Sequence, residues 1–262
     1  MTSDEAARRL AAEPASAGLF LDFDGTLAPI VDDPAAARMP PELEPVLADL
    51  VDRLGLLAVV SGRPASFLAE QAAVPGARLL GLYGLQEWTD GDVRVRPEAA
   101  RWQDAVDAAR RRITDALADR DGVTVEDKGL SVAVHWRNAA DRERAERDVG
   151  RLLDEVAADT GLASEPGKLV AELRPPVDWD KGAAVRALAD ELGLRTVAYV
   201  GDDRGDLAAF EAVRELDGIA VAVDHGPETP AELADAADVV LGSDAVGDWL
   251  RGLRDALADR QR

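Results

Sequence analysis

Cysteine is absent from this 262-residue chain. Its absence excludes disulfides, cysteine nucleophiles and thiolate metal sites, and fits a reducing compartment. Positive charge is scarce as well: 30 Lys and Arg stand against 51 Asp and Glu, a formal net charge of −21. Nucleic-acid contacts need a basic patch, so this balance argues against such a partner. A phosphorylated small molecule stays open, because local charge can oppose the net. Long apolar runs are also missing: none approaches the ~20 residues of a membrane span. The segment Met1 to Pro14 is charged and Ala-rich and lacks a signal peptide's apolar centre. There is no internal repeat and no low-complexity linker. The expectation is a cytoplasmic, monomeric protein with a small-molecule partner and no nucleic-acid or membrane partner.

What the chain does have is an apolar run ending in two acids, Leu19-Phe20-Leu21-Asp22-Phe23-Asp24-Gly25-Thr26-Leu27. The run reads as a buried strand and Gly25 as the turn out of it. Ligands of open α/β sheets bind beyond the carboxyl ends of the strands. Two acids there are costly unless a cation lies between them, and a hard ion such as Mg²⁺ prefers oxygen ligands. The plain alternative is a strand end with two solvated acids.

Further strand ends carry chemistry. Glu42 to Leu54 reads as a helix, and Leu56 to Val60 as a second strand ending in Ser61-Gly62-Arg63-Pro64. A hydroxyl and a free N–H at that point can hold a phosphate oxygen; a Ser N-cap with Pro64 in the helix's first turn is the plainer reading. Leu79 to Gln86 is a third strand entering a Gly-rich turn, and Asp90-Gly91 signals a hairpin between Gln86-Glu87-Trp88 and Val93-Arg94-Val95. Later, Asp178-Trp179-Asp180-Lys181-Gly182 opens a helix. A lysine there opposes the macrodipole by tenths of a kcal/mol, so either an anion sits nearby or the side chain is solvated surface. Thr196 to Val200 is another strand, ending in Gly201-Asp202-Asp203-Arg204-Gly205-Asp206. Three acids at one strand end repel unless a cation gathers them, and the spacing is not that of an EF-hand. Gly218 to Val223, Ala237 to Leu241 and a helix from Asp244 complete a doubly wound, parallel-sheet core.

Between the third core strand and Lys181 the pattern changes to helix, two strands (Val123 to Glu126 and Leu130 to Trp136), helix (Ala140 to Ala158) and one strand region from Leu162 to Leu173. This is an α+β domain inserted at residues 98–175, leaving residues 1–97 and 176–262 as the core. Alternation gives its sheet an apolar face with Val132, Val134, Trp136, Ala171 and Leu173. The opposite face carries Ser131, His135, Arg137, Lys168, Glu172 and Arg174. A solvated antiparallel face would look the same.

The four core stretches, in order, resemble the motifs of the haloacid dehalogenase-like (HAD) phosphatases. Within that superfamily, Ser61-Gly62-Arg63, Glu126-x-Lys128, Ser131, His135-Trp136-Arg137 and Gly167-Lys168-x-x-x-Glu172-Leu173-Arg174-Pro175 followed by Lys181-Gly182 resemble trehalose-6-phosphate phosphatases. The similarity runs from Leu19 to the C-terminus. It implies a Rossmann-like core with a C2B-type cap that closes on it, and an Mg²⁺-dependent hydrolysis of trehalose 6-phosphate through an aspartyl phosphate. It implies Asp22 as nucleophile, Asp24 as general acid and base, and Ser61 and Lys181 on the phosphoryl oxygens. Metal ligation falls to Asp22, the Asp24 carbonyl and Asp202, with Asp203 and Asp206 in support. Gly62, Arg63, Glu126, Lys128, Arg137, Lys168 and Glu172 would bind the phosphorylated disaccharide. Gln86, where the family has Glu, and Gly205 and Leu207 in the last motif depart from the pattern and bear on substrate preference. Sucrose phosphate or a glycosyl-phosphoglycerate are alternative substrates. A phosphomutase and a non-catalytic regulatory domain are alternative roles, although the latter is expected to have lost Asp22 or Asp24.

Overall fold

The structure is a computed structural model and describes residues 1–31, 33–72, 74–167 and 169–260. In chain order the strands are β1 (Ala17–Leu21), β2 (Leu56–Val60), β3 (Arg78–Gly81), β4 (Gln86–Thr89), β5 (Asp92–Val95), β6 (Thr124–Asp127), β7 (Val132–His135), β8 (Ala163–Gly167), β9 (Val170–Arg174), β10 (Thr196–Gly201), β11 (Ile219–Asp224) and β12 (Val239–Gly242). The helices are α1 (Ser3–Leu10), α2 (Glu44–Val51), α3 (Ala65–Gln71), α4 (Pro97–Ala100), α5 (Gln103–Leu117), α6 (Arg142–Thr160), α7 (Lys181–Leu192), α8 (Leu207–Glu215), α9 (Ala231–Ala236) and α10 (Val246–Asp259). Two compact units result, one of residues 1–94 with 179–262, the other of residues 95–178.

In the first unit one sheet runs β12-β11-β10-β1-β2-β3-β4-β5. It is parallel from β12 to β3, and β4 then pairs antiparallel with β3. The expected parallel core thus runs from β12 to β3, and the expected hairpin adds β4 and β5 at its edge. The chain reverses at Asp90 and Gly91, whose positive φ angles of 55° and 88° are those a two-residue hairpin turn demands. The central strands β1 and β2 are buried at every position, because helices cover both faces. Alternate residues divide between two clusters. Leu19, Leu21, Leu57, Val59 and Val200 meet α1, α2, α3 and α10 on one face. Phe20, Ala58, Val60 and Tyr199 meet α7, α8 and α9 on the other. The register pairs Leu21 with Val59 and with Val200, which brings the ends of β1, β2 and β10 side by side.

The second unit is a four-stranded antiparallel sheet, β6-β7-β9-β8, with α5 and α6 on its apolar face. Its last segment is two strands, not one. Gly167 pairs with Val170 and Leu169 has φ 62°, so the chain turns back between β8 and β9. Pro166 is tolerated because β8 is an edge strand. Among the described residues no helix is long and apolar enough to cross a membrane.

Helices α7 and α8 approach closely over Gly182, where an added Cβ would lie 2.3 Å from the Ala208 carbonyl oxygen. Alanine normally gains about 1 kcal/mol over glycine inside a helix, but overpacking costs about 1–3 kcal/mol. Gly182→Ala is expected to lower the urea midpoint despite its better helix propensity; a raised midpoint would show that the two helices can move apart freely.

Candidate active site

Asp22 is the first residue after β1, fastened by its N–H to the Val200 carbonyl at 2.9 Å. Across from it, Asp180 caps α7 by accepting from the Ala183 N–H at 2.7 Å, and so fixes Lys181 as the helix's first residue. Lys181 is not surface: it is 3 % exposed. Its Nζ donates to Asp22 Oδ1 at 2.7 Å and to Asp206 Oδ1 at 2.6 Å. The anions that justify a lysine at this helix start include two carboxylates of the chain itself.

Asp206 is fully buried and fully engaged. Its Oδ1 also accepts from the Tyr199 hydroxyl at 2.7 Å, while Oδ2 accepts from the N–H groups of Asp202 and Asp203 at 2.9 and 3.0 Å. Four donors fill a carboxylate's acceptor sites. Asp206 therefore holds Lys181 and the turn after β10. Asp203 is exposed and accepts from the Gly205 N–H at 2.8 Å, bracing the same turn.

Asp202 is different. Its Oδ1 is buried without a hydrogen-bond partner, and its Oδ2 lies 3.5 Å from His225 Nε2. His225 also bonds the Gly25 carbonyl at 2.8 Å. Gly25 takes φ 78°, and a Cβ there would lie 2.0 Å from the Asp202 carboxylate, so only glycine admits this approach. Carboxylate oxygens of Asp22, Asp202 and Asp206 lie within 4.8 Å of one another.

These acids outnumber the Lys181 ammonium, and burial favours the protonated forms of Asp22 and Asp202. Burial raises the Asp22 pKa well above the usual carboxylate range, against the pull of Lys181. Burial, then Asp206 and Asp203, push Asp202 up to about 7. Burial disfavours the charge on Lys181, but Asp22 and the neighbouring acids win and hold its pKa well above the usual value. A divalent oxygen-seeking cation fits this donor set, because it would engage the unpartnered Asp202 oxygen and offset the excess negative charge.

The remaining expected residues are divided between the two units. Ser61 is buried at the end of β2, and its Oγ accepts from the Arg63 N–H at 3.2 Å. It caps that tight turn and not α3, which begins after Pro64. The Asp24 side chain is bound by Arg63. Gln86 accepts from the Ala65 N–H at 3.1 Å in the core, closing the start of α3, a task Gln and Glu perform alike. In the second unit Glu126 bonds His135 at 2.8 Å, while Lys128 at 2.9 Å and the Ser131 hydroxyl both donate to Glu172. Arg137 is exposed, and Lys168 lies outside the described residues.

Two participants escape a reading of the sequence alone. Tyr199 hides in an apolar strand, although a buried phenol needs a partner and the acids follow directly. His225 stands just past a core strand end, the position where ligands gather in such sheets.

A family model described as trehalose-phosphatase matches residues 20–238. The trehalose-phosphate phosphatase of Mycobacterium avium (strain 104) is 37% identical over 235 residues, covering 87% of this chain and 59% of that protein. The chain thus spans about three fifths of the length of that relative. A Sinorhizobium fredii (strain NBRC 101917 / NGR234) protein named "Probable trehalose-phosphate phosphatase" is 35% identical over 246 residues, 92% of this chain and 87% of its own. A solved structure, of a trehalose-6-phosphate phosphatase related protein, superposes with a TM-score of 0.76 at 25% identity over 94% of this chain and 100% of its own. With the mixed sheet, the buried acids and these matches together, the chain belongs to the trehalose-phosphatase family and has its haloacid dehalogenase-like fold.

Proposed function

We propose that the chain hydrolyses trehalose 6-phosphate to trehalose and phosphate. The observation that carries this reading is Asp22, buried at a strand end, held by Lys181 and facing Asp202 with its unpartnered oxygen. Asp22 attacks phosphorus in line with the sugar oxygen, forming an aspartyl phosphate as the ester P–O bond breaks. Asp24 gives its proton to the leaving oxygen, then takes one from the water that releases phosphate. Ser61, Lys181 and nearby N–H groups hold the phosphoryl oxygens. Asp22, the Asp24 carbonyl and Asp202 would hold Mg²⁺, which supplies neutralisation of the phosphoryl charge. Residues 95–178 act as the cap, and Glu126, Lys128, Arg137, Lys168 and Glu172 take the sugar hydroxyls.

Phosphate release from a panel of phosphorylated mono- and disaccharides with Mg²⁺ tests the substrate; preference for sucrose phosphate or a glycosyl-phosphoglycerate would reassign it. Asp22→Asn is nearly isosteric and is expected to abolish turnover in protein that still unfolds cooperatively. Measurable turnover in Asp22→Asn, purified away from wild type, removes Asp22 as nucleophile.

Metal and pH are linked. Asp202 binds its proton more tightly in the folded chain, near pH 7, than unfolded, near 3.8. Between those values the folded state holds more protons, so metal-free stability falls as pH rises. Mg²⁺ can offset that loss only where Asp202 is ionised. Addition of Mg²⁺ is expected to raise the Tm more at pH 7.5 than at pH 5, and chelator to abolish activity. An equal Tm gain at both pH values would separate Asp202 from the metal.

Lys128 and Glu172 bind each other, so each single alanine variant removes one charge-assisted hydrogen bond from its partner, at about 1–3 kcal/mol. Either is expected to lower kcat/KM for trehalose 6-phosphate roughly ten- to hundredfold, and for p-nitrophenyl phosphate far less. The double variant should cost less than the sum of the two. Equal losses on both esters would place the pair in folding or chemistry.

A further inference from the structure

Asp24 has to meet the leaving oxygen, yet both of its carboxylate oxygens are held by one residue. Arg63 Nε donates to Oδ2 at 2.8 Å and Nη2 to Oδ1 at 2.7 Å, a planar two-bond fork. Arg63 is itself fixed from several sides. Its guanidinium lies 4.7 Å from the Phe67 ring centre, and Phe67 meets the edge of Phe23, the residue between Asp22 and Asp24, at 5.9 Å. Its N–H donates to Ser61 Oγ, and its carbonyl accepts from the Leu82 N–H at 2.9 Å. The side chains of Arg63 and Asp24 are 20% and 40% exposed, so the fork sits at the rim with its acid partner outermost.

We propose that Arg63 is a positioning residue for Asp24, in place of the substrate-binding role expected of it from the sequence. This rests on the phosphatase reading above. A lone Asp on a turn samples several rotamers; the fork fixes the plane of its carboxylate. Breaking one of the two bonds lets an oxygen turn to the leaving group while the other bond keeps the hinge. In the first half-reaction the Asp24 proton moves to the departing oxygen, which keeps the electron pair of the broken P–O bond. In the second, a water proton moves to Asp24 as the water oxygen bonds phosphorus and the Asp22–phosphorus bond breaks. Arg63 keeps its own protons throughout. Its loss therefore penalises esters in proportion to how much their leaving group needs that proton.

The test compares phenyl phosphate with p-nitrophenyl phosphate, esters of similar size whose leaving groups differ in basicity. The quantity is kcat/KM, which covers only the steps through departure of the leaving group. Arg63→Met is expected to lower kcat/KM for phenyl phosphate about tenfold more than for p-nitrophenyl phosphate, a fraction of the 10²–10⁴ general-acid contribution. Arg63→Lys, which cannot form the fork, should fall between wild type and Arg63→Met. In an Asp24→Asn background, Arg63→Met should change the ratio no further. Equal losses on both esters would make Arg63 a phosphoryl ligand and overturn the proposal, as would an unchanged ratio or a further change in the Asp24→Asn background. If Arg63→Met does not fold, Arg63→Lys carries the same ratio test. Wild type that releases phosphate from neither ester nor from trehalose 6-phosphate would refute the phosphatase reading instead.

Discussion

A buried ammonium between two buried carboxylates is the constraint on which the architecture of the candidate site rests. An uncompensated charge in a protein interior costs several kcal/mol, so Lys181 can be buried only where Asp22 and Asp206 both reach it. The three residues come from three places in the chain: the end of β1, the start of α7, and the turn after β10. Parallel pairing of β1 with β10 supplies the first and third. The close contact of α7 with α8 over Gly182 supplies the second. Asp206 joins them, because its four acceptor bonds tie the lysine, a core tyrosine and two backbone N–H groups to one carboxylate.

The centre is consequently lopsided. Around Asp206 every acceptor is used; around Asp202 one buried oxygen has no partner and the carboxyl titrates near neutrality. Polar groups in interiors are nearly always satisfied, and exceptions tend to lie at functional sites. The rigid half sets where Asp22, the proposed nucleophile, points, and the unsatisfied half is where positive charge is wanted. That local demand coexists with a net charge of −21 because the acids of the centre are held by packing and by Lys181, and the rest lie largely on the surface.

The strand ends bearing Asp22, Ser61 and Asp202 were legible in the sequence, since an apolar run followed by a turn and a polar residue has one natural place in a parallel sheet. What each side chain touches was not. Periodicity puts Lys181 at a helix start but is silent on whether it faces water or Asp22. The motif pattern sets Asp202 apart from Asp203 and Asp206 but not what each touches: one is unsatisfied, one braces a turn and one is the hub of the hydrogen bonds. The β8–β9 reversal was hidden because Glu165-Pro166-Gly167 has no strand propensity and becomes a strand only as the partner of β9 on a sheet edge. Gln86 departs from the family's Glu, and its place as a buried acceptor at the start of α3 was not legible either.

The polar face of the second unit has the opposite character to the carboxylate centre. Glu172 is already satisfied by Lys128 and Ser131, and Glu126 by His135. A ligand arriving at Asp202 relieves a deficit; a sugar hydroxyl arriving at Glu172 has to exchange with, or add to, bonds that exist. Exchange of one good hydrogen bond for another yields little net free energy, whereas a wrong hydroxyl leaves a charged group unpaired at real cost. In the proposed function such a face contributes little raw affinity and much discrimination. In the proposed reaction, binding energy then comes mainly from the phosphoryl group and the cation, and the choice of sugar from the geometry of paired charges.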